Sequence, residues 1–346
     1  MIKKQRLEEI LDRLSELRVL VFGDYFLDYY LTLDRSLSEI SLETGLEAYQ
    51  VVETRKYPGT AGVVAANLRS LGADVLALGL GGDDGNGYDL RQKLIEAGVD
   101  VRGYLQAPGF ATPTYHKPMM REPDGSQHEL NRMDVKPRRP LEPELEDRLI
   151  EAMRWLLPEA HGMLVVDQAR SLNCGTVTDR LRAEIERQAA QNPDKVIQAD
   201  SREFLGRFGS VILKANLGEA MRAAGLSNSA DEYAVDRAER CGRSLCERAG
   251  RPVVITLGSE GIYLVERPGQ AGILIPAIPV SGPIDIVGAG DSVNAAVGAA
   301  LCAGATLAEA GFLGNLVASI VIQQIGVTGT ASPAQVLAQF QAHFSD

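Results

Sequence analysis

Val19-Leu20-Val21-Phe22-Gly23-Asp24 is the stretch that decides the fold. Four apolar residues follow one another without the polar alternation of a half-exposed strand, and the run stops at a glycine and a carboxylate. Such a strand has both faces covered, as happens when a parallel sheet lies between layers of helices. The same reading applies to residues 75–80, 163–166, 196–199, 211–213 and 253–257, with helical spacing in the intervals. The expected class is therefore α/β with a mostly parallel central sheet.

Working outward, the runs end in Gly23-Asp24, Asp167, Asp200, Asn216, and Thr256 followed by Gly258. In an open parallel sheet the ligand crevice lies beyond the carboxyl ends of the strands, so these residues would converge on one edge. Residues 29–57 and 112–133 break the pattern and read as short strands joined by polar turns, a small second sheet that could act as a lid or pair with another subunit. Residues 137–143 read as a connection into a helix over 144–157.

The 346 residues, 45% of them apolar and 23% charged, suffice for one domain over 1–346 with a full core. A net charge of −11 gives no uniform basic field for nucleic acid or an anionic membrane. Residues 1–18 carry Ile2, Leu7, Ile10, Leu11, Leu14 and Leu17 at helical spacing, and no apolar run is long enough to span a bilayer. A cytoplasmic protein is expected. Cys174, Cys241, Cys246 and Cys302 lack the paired spacing of a zinc site and read as buried thiols.

The chemistry is concentrated in Asp285-Ile286-Val287-Gly288-Ala289-Gly290-Asp291-Ser292. Two glycines around an alanine let successive N–H groups turn into one concavity, and the helix that follows adds its positive end, so an anion belongs there. Asp291 would repel that anion unless it takes a proton from an attacking hydroxyl. Anion cradle plus base points to phosphoryl transfer. There is no Walker A motif, and Val293 stands where a dinucleotide fingerprint would need its third glycine.

This segment resembles the DTxGAGD signature of the ribokinase-like (pfkB) family of sugar kinases, with Ile286 where threonine is frequent. The resemblance runs from about residue 19 to 340. Within the family the chain is most similar to the kinase half of the bifunctional enzymes that make ADP-heptose, which phosphorylate D-glycero-D-manno-heptose 7-phosphate at O1. Gly23-Asp24 with Leu27-Asp28, Pro58-Gly59-Thr60-Ala61 running to Ser70-Leu71-Gly72-Ala73, and Asn131-Arg132-Met133-Asp134 carry that similarity. No nucleotidylyltransferase half is expected in this sequence, and if the chain works in that pathway the second activity is expected on another polypeptide.

The resemblance implies a three-layer sandwich with a β-sheet lid, ATP as co-substrate, and a homodimer through the lid. It makes Asp291 the base, with the Gly288, Ala289 and Gly290 amides holding the anion. Asn216 and Glu219 would organise Mg²⁺ and its waters, with Lys214 adding charge at the phosphates. Thr256, Gly258 and Gly261 would lie beside the nucleotide, Asn315 near its adenine, and Asp285 and Gly326 at a K⁺ site. Asp24, Asp28, Gly59, Thr60 and Asn67 would line the acceptor, and Arg132 and Lys117 could meet a phosphate on it. Val63 stands where the family has a sugar-binding asparagine. Two other readings are open at this stage: a different acceptor, such as 2-keto-3-deoxygluconate, a fructose phosphate or a nucleoside, and a non-catalytic sugar or nucleotide sensor.

Overall fold

The unbroken apolar runs are strands covered on both faces. In the computed structural model, which describes residues 2–227 and 233–344, Val19 and Val21 enter one apolar layer while Leu20 and Phe22 enter another. Leu164 and Val166 likewise part from Met163 and Val165. Alternate side chains leave opposite faces of a strand, so a sheet with helices on both sides has no polar positions to spare.

The strands are β1 (Arg18–Gly23), β2 (Tyr25–Ile40), β3 (Glu47–Thr60), β4 (Asp74–Gly82), β5 (Asp100–Ala107), β6 (Thr114–Arg121), β7 (Gln127–Glu129), β8 (Met133–Val135), β9 (Gly162–Asp167), β10 (Val196–Ser201), β11 (Ile212–Asn216), β12 (Val253–Thr256), β13 (Gly261–Val265) and β14 (Ile273–Pro276). The helices are α1 (Lys4–Leu14), α2 (Ala61–Ser70), α3 (Gly85–Glu96), α4 (Pro143–Leu156), α5 (Asp179–Gln191), α6 (Leu217–Ala224), α7 (Ala234–Ala249), α8 (Ala289–Cys302), α9 (Leu307–Val321) and α10 (Pro333–His343). The large sheet has the order β14-β13-β12-β11-β10-β9-β1-β4-β5 and is parallel except at β12–β13 and β13–β14. One face carries α1, α2, α3, α8, α9 and α10, and the other carries α4, α5, α6 and α7.

A second sheet, β3-β2-β6-β7 with β8 also on β6, stands off the first. Its two leading strands are longer than the pattern suggested, at 16 and 14 residues. Register shifts at Thr32/Leu33 and at Asp34/Glu39 break the alternation, and the outer half of β3 is exposed on both faces, so one long hairpin reads as several short strands.

The polar strand ends do converge. Asp24 follows β1, Asp167, Asn216 and Thr256 close β9, β11 and β12, and Asp200 sits one residue before the end of β10. These five strands are consecutive neighbours, so one sheet edge collects them all. None of the four cysteines is in a disulfide among the described residues, and Cys302 is less deeply buried than the rest.

Candidate active site

Gly288 takes a left-handed conformation, φ 80°, which turns the chain into α8. It is fixed from two sides: a methyl group there would lie 2.7 Å from Thr328 Cγ2 and 3.6 Å from Val63 Cγ1. Val63, at the expected asparagine position, therefore packs under the turn. The Ala289 amide donates to the Ile286 carbonyl at 3.2 Å, so it is spent on the turn itself. The Gly288, Gly290 and Asp291 N–H groups have no backbone partner among the described residues. Of the expected trio, Gly288 and Gly290 keep an open N–H group and Ala289 does not, while Asp291 adds one. Gly288→Ala is expected to lower kcat about 100-fold, since it adds both a forbidden φ and a clash at the donors. Steady-state kinetics beside a melting curve would check this, a large kcat loss with the fold retained being the expected result.

Beneath the helix end lies a buried charge cluster. The Lys214 ammonium contacts Asp200 Oδ2 at 2.6 Å, with both side chains about 5% exposed or less. A methyl group on Gly290 would lie 3.5 Å from that ammonium, so β11 and α8 meet there. Burial opposes the charge on Lys214, but Asp200, Glu219 and Asp291 together hold it above its ordinary range. Burial lifts the half-buried Asp291 carboxyl to about 7; Lys214 is the largest influence against this, with Asp200 and Glu219 pushing up and Arg202 pulling down. Glu219 is also raised, first by burial and then by Asp200. A carboxylate balanced near neutrality beside unpaired N–H donors can accept a proton while an anion forms next to it.

Asn216 and Glu219 form a reciprocal cap on α6: Asn216 Oδ1 accepts from the Glu219 N–H and Glu219 Oε2 from the Asn216 N–H, both at 2.9 Å. The local reason for the motif is thus a capping box. It leaves Glu219 Oε1 and a lone pair of Asn216 Oδ1 for a ligand. Thr256 closes β12 at the neighbouring strand end. Gly258 turns the chain at φ 60° in open space, whereas Gly261 is required by packing, since a side chain would run into the backbone of Ile275 and Ala277. Asn315 is buried and donates to the Ile275 and Pro276 carbonyls at 2.9 and 3.0 Å, so its amide anchors β14 to α9. The Asp285 carboxylate accepts from the Val287 and Gly326 N–H groups and ties the turn to the α9–α10 connection.

On the acceptor side, Asp24 is buried and saturated by backbone: Oδ2 accepts from Gln168 and Ala169 at 2.8 and 3.0 Å, and Oδ1 from Thr176 at 2.7 Å. It holds the loop after β9 closed over the end of β1. Asp28 is different. Its Oδ1 pairs with Lys117 at 3.1 Å, while Oδ2 faces Gly59, where a methyl group would lie only 3.1 Å away. Thr60 stands at φ 53°, a strained conformation for a β-branched residue, with its hydroxyl donating to the Asp24 carbonyl.

Two expected contacts are not brought to this cleft. Asn67 has no exposed surface, and its amide donates to the Val63 carbonyl at 3.0 Å, because α2 turns that side inward. Arg132 is held by both Asp134 oxygens, at 2.7 and 3.0 Å, and lies over the Tyr115 ring. Asp167 also points away from the edge, into a buried bond with Arg182 and Ser201. Sequence reasoning overlooked Arg202, whose charge reaches Asp291, Glu219 and Tyr115. Its place two residues after Asp200, just past the end of β10, was the available signal.

A profile described as pfkB family carbohydrate kinase matches residues 18–335. Among curated relatives, the bifunctional protein HldE of Geobacter sulfurreducens is 29% identical over 343 residues, covering 97% of this chain and 65% of that protein. HldE of Gluconacetobacter diazotrophicus is 31% identical over 334 residues, covering 96% of this chain and 65% of that protein. The chain thus spans just under two thirds of the length of these relatives. Two solved structures share the fold. Escherichia coli phosphofructokinase-2 in complex with potassium aligns with TM-score 0.71 at 21% identity, covering 94% of this chain and 99% of its own. Arabidopsis thaliana ribokinase complexed with ribose and ATP aligns with TM-score 0.68 at 19%, covering 95% and 99%.

Proposed function

The chain belongs to the pfkB family of carbohydrate kinases, and from that premise we propose that it moves the γ-phosphoryl group of ATP to a hydroxyl of a sugar or sugar phosphate, with D-glycero-D-manno-heptose 7-phosphate O1 as the leading acceptor. The observation that carries this reading is one carboxylate near neutrality, Asp291, set among unpaired N–H donors and beside a buried lysine. The similarity to HldE proteins over nearly the whole chain supports the heptose.

The geometry supports the following course of reaction. Asp291 takes the proton of the acceptor hydroxyl as its oxygen attacks the γ-phosphorus: with its carboxyl lifted to about 7, about half of it is ionised near neutral pH, and that form is a stronger base than an ordinary carboxylate. The Gly288, Gly290 and Asp291 N–H groups receive the charge that develops on the phosphoryl oxygens. Lys214 neutralises the phosphates from below. Asp200, Glu219 and Asp291 set three carboxylates around one ammonium, a net negative surrounding; no three acidic groups among the described residues lie close enough to cage a metal, but Mg²⁺ keeps much of its water and needs only one carboxylate and an amide oxygen. Glu219 Oε1 and Asn216 Oδ1 would hold that ion, partly through water, where it would offset the phosphates' charge. Thr256 and Gly258 would flank the nucleotide, and K⁺ at Asp285 and Gly326 belongs to the same proposal. Asp28 Oδ2 would accept an acceptor hydroxyl.

The small sheet is proposed as a lid over the acceptor and as the contact to a second copy. Its outer hairpin exposes Leu37, Ile40, Leu42 and Leu46, an apolar edge that a partner sheet would cover. Leu42→Glu with Leu46→Glu is expected to halve the mass in sedimentation; an unchanged mass would remove the dimer from the proposal. No helix among the described residues is long and apolar enough to cross a membrane, and cytoplasmic action is part of the same reading. ADP release measured across candidate acceptors tests the whole: turnover with none of them would overturn it.

A further inference from the structure

Beside Asp24, under the small sheet, lies a cavity of about 190 Å³ lined by Lys136, Arg138, Arg170, Phe26 and Tyr115. Its charges do not balance. Asp134 is the carboxylate that both Arg132 and Lys136 contact, the latter at 2.7 Å. Asp24 faces the cavity already satisfied by three N–H groups. No carboxylate lies within ion-pair distance of Arg138 or Arg170 among the described residues. Both arginines are exposed at its rim, so in a chain of net charge −11 they form a local cationic hollow whose guanidinium groups are free to turn onto an anion that enters it.

The volume is below the roughly 300–1,000 Å³ of a whole-ligand pocket, so it suits one anionic group. Position says whose. The cavity opens at the end of β1, three strands from Lys214 at the end of β11, a separation of about 14 Å at the usual strand spacing. ATP phosphates at Lys214 do not extend there. An acceptor with its reacting hydroxyl towards Asp291 can, if it carries its own anion at the far end.

Resting on the kinase reading above, we propose that Arg138 and Arg170, with Lys136, bind a phosphate monoester on the acceptor sugar, making the enzyme selective for phosphorylated sugars. Two planar guanidinium groups offer paired N–H donors to a dianion. The expected phosphate contacts Arg132 and Lys117 are each paired with an aspartate, as is Lys136, so the two arginines are the uncommitted cations of the cavity.

The test uses Arg138→Ala/Arg170→Ala on acceptor pairs with and without phosphate: heptose and heptose 7-phosphate, fructose and fructose 6-phosphate. The preference of the parent enzyme for the phosphorylated member should collapse about 100-fold, mostly through KM, with kcat and the KM for ATP nearly constant. Arg139→Ala, exposed and outside the lining, should change nothing. An unaltered preference, or a parent enzyme that prefers the free sugar, overturns the proposal. So does selective use of 2-keto-3-deoxygluconate, whose carboxylate would then be the anion. Inorganic phosphate binding, followed by calorimetry in Asp291→Asn, is read without turnover. Its loss in the added double substitution would uphold the pocket even if no sugar were phosphorylated.

Discussion

Asp291→Asn should reduce kcat by about 10³–10⁴-fold while leaving ATP binding intact. The amide keeps the shape of the side chain and the N–H donor of residue 291, so only proton acceptance is removed, and general-base help is worth about 10²–10⁴-fold. The loss sits at the upper end because the base also fixes the attacking hydroxyl in line. In the unaltered enzyme kcat/KM should fall tenfold per pH unit below about 7 and flatten above it, since the carboxyl is lifted to about 7 by burial against the pull of Lys214 and only its ionised form accepts a proton. Stability runs the other way. A carboxyl held above its ordinary value favours the folded state while neutral, and that contribution is lost as pH rises from the ordinary value towards 7. Asp291→Asn should therefore melt higher than the parent at pH 8, with the gap closing as pH falls. A variant that is inactive and also less stable at pH 8 would mean that residue 291 holds the helix end and is not a strained base.

The site is legible in the chain where a backbone conformation demands a residue type. Gly288 announces a left-handed turn, and a carboxylate three residues later in an otherwise small, apolar helix has no packing reason to be there. The central sheet is legible for a similar reason: strands covered on both faces leave unbroken apolar runs. Where a residue serves two masters the reading blurs. Asn216 and Glu219 read as metal ligands, and the structure shows them as a capping box; the pattern does not separate the two because a helix start and a phosphate site both need oxygen near N–H groups. Asn67 and Arg132 were misplaced because local spacing does not tell which side of α2 faces the core or that Asp134 would claim the guanidinium. The cavity at Arg138 and Arg170 was invisible, since it joins two loops that follow different elements and meet only through topology.

Lys214→Met should be the most damaging single change, to folding and to activity together. The ammonium is 3% exposed and is the counter-charge that the Asp200 carboxylate touches. Removing one member of a buried pair costs about 3–5 kcal/mol, because the other charge stays desolvated, and Glu219 and Asp291 would repel Asp200 at close range. The damage can be divided. Adding Asp200→Asn to Lys214→Met removes the stranded charge, so the melting temperature should recover most of its loss, yet turnover should stay low because no cation faces the phosphates. The remaining activity carries a signature of its own. Lys214 is the largest influence holding the Asp291 carboxyl down and outweighs the upward push of Asp200 that the double variant also removes, so in that variant the acid limb of kcat/KM should still move above 7, and activity at pH 9 relative to pH 7 should rise. A merely structural lysine would move the melting temperature and leave that limb where it was. If the double variant regains both stability and turnover at neutral pH, the buried cation has no part in phosphoryl transfer, and the anion hole must act without it.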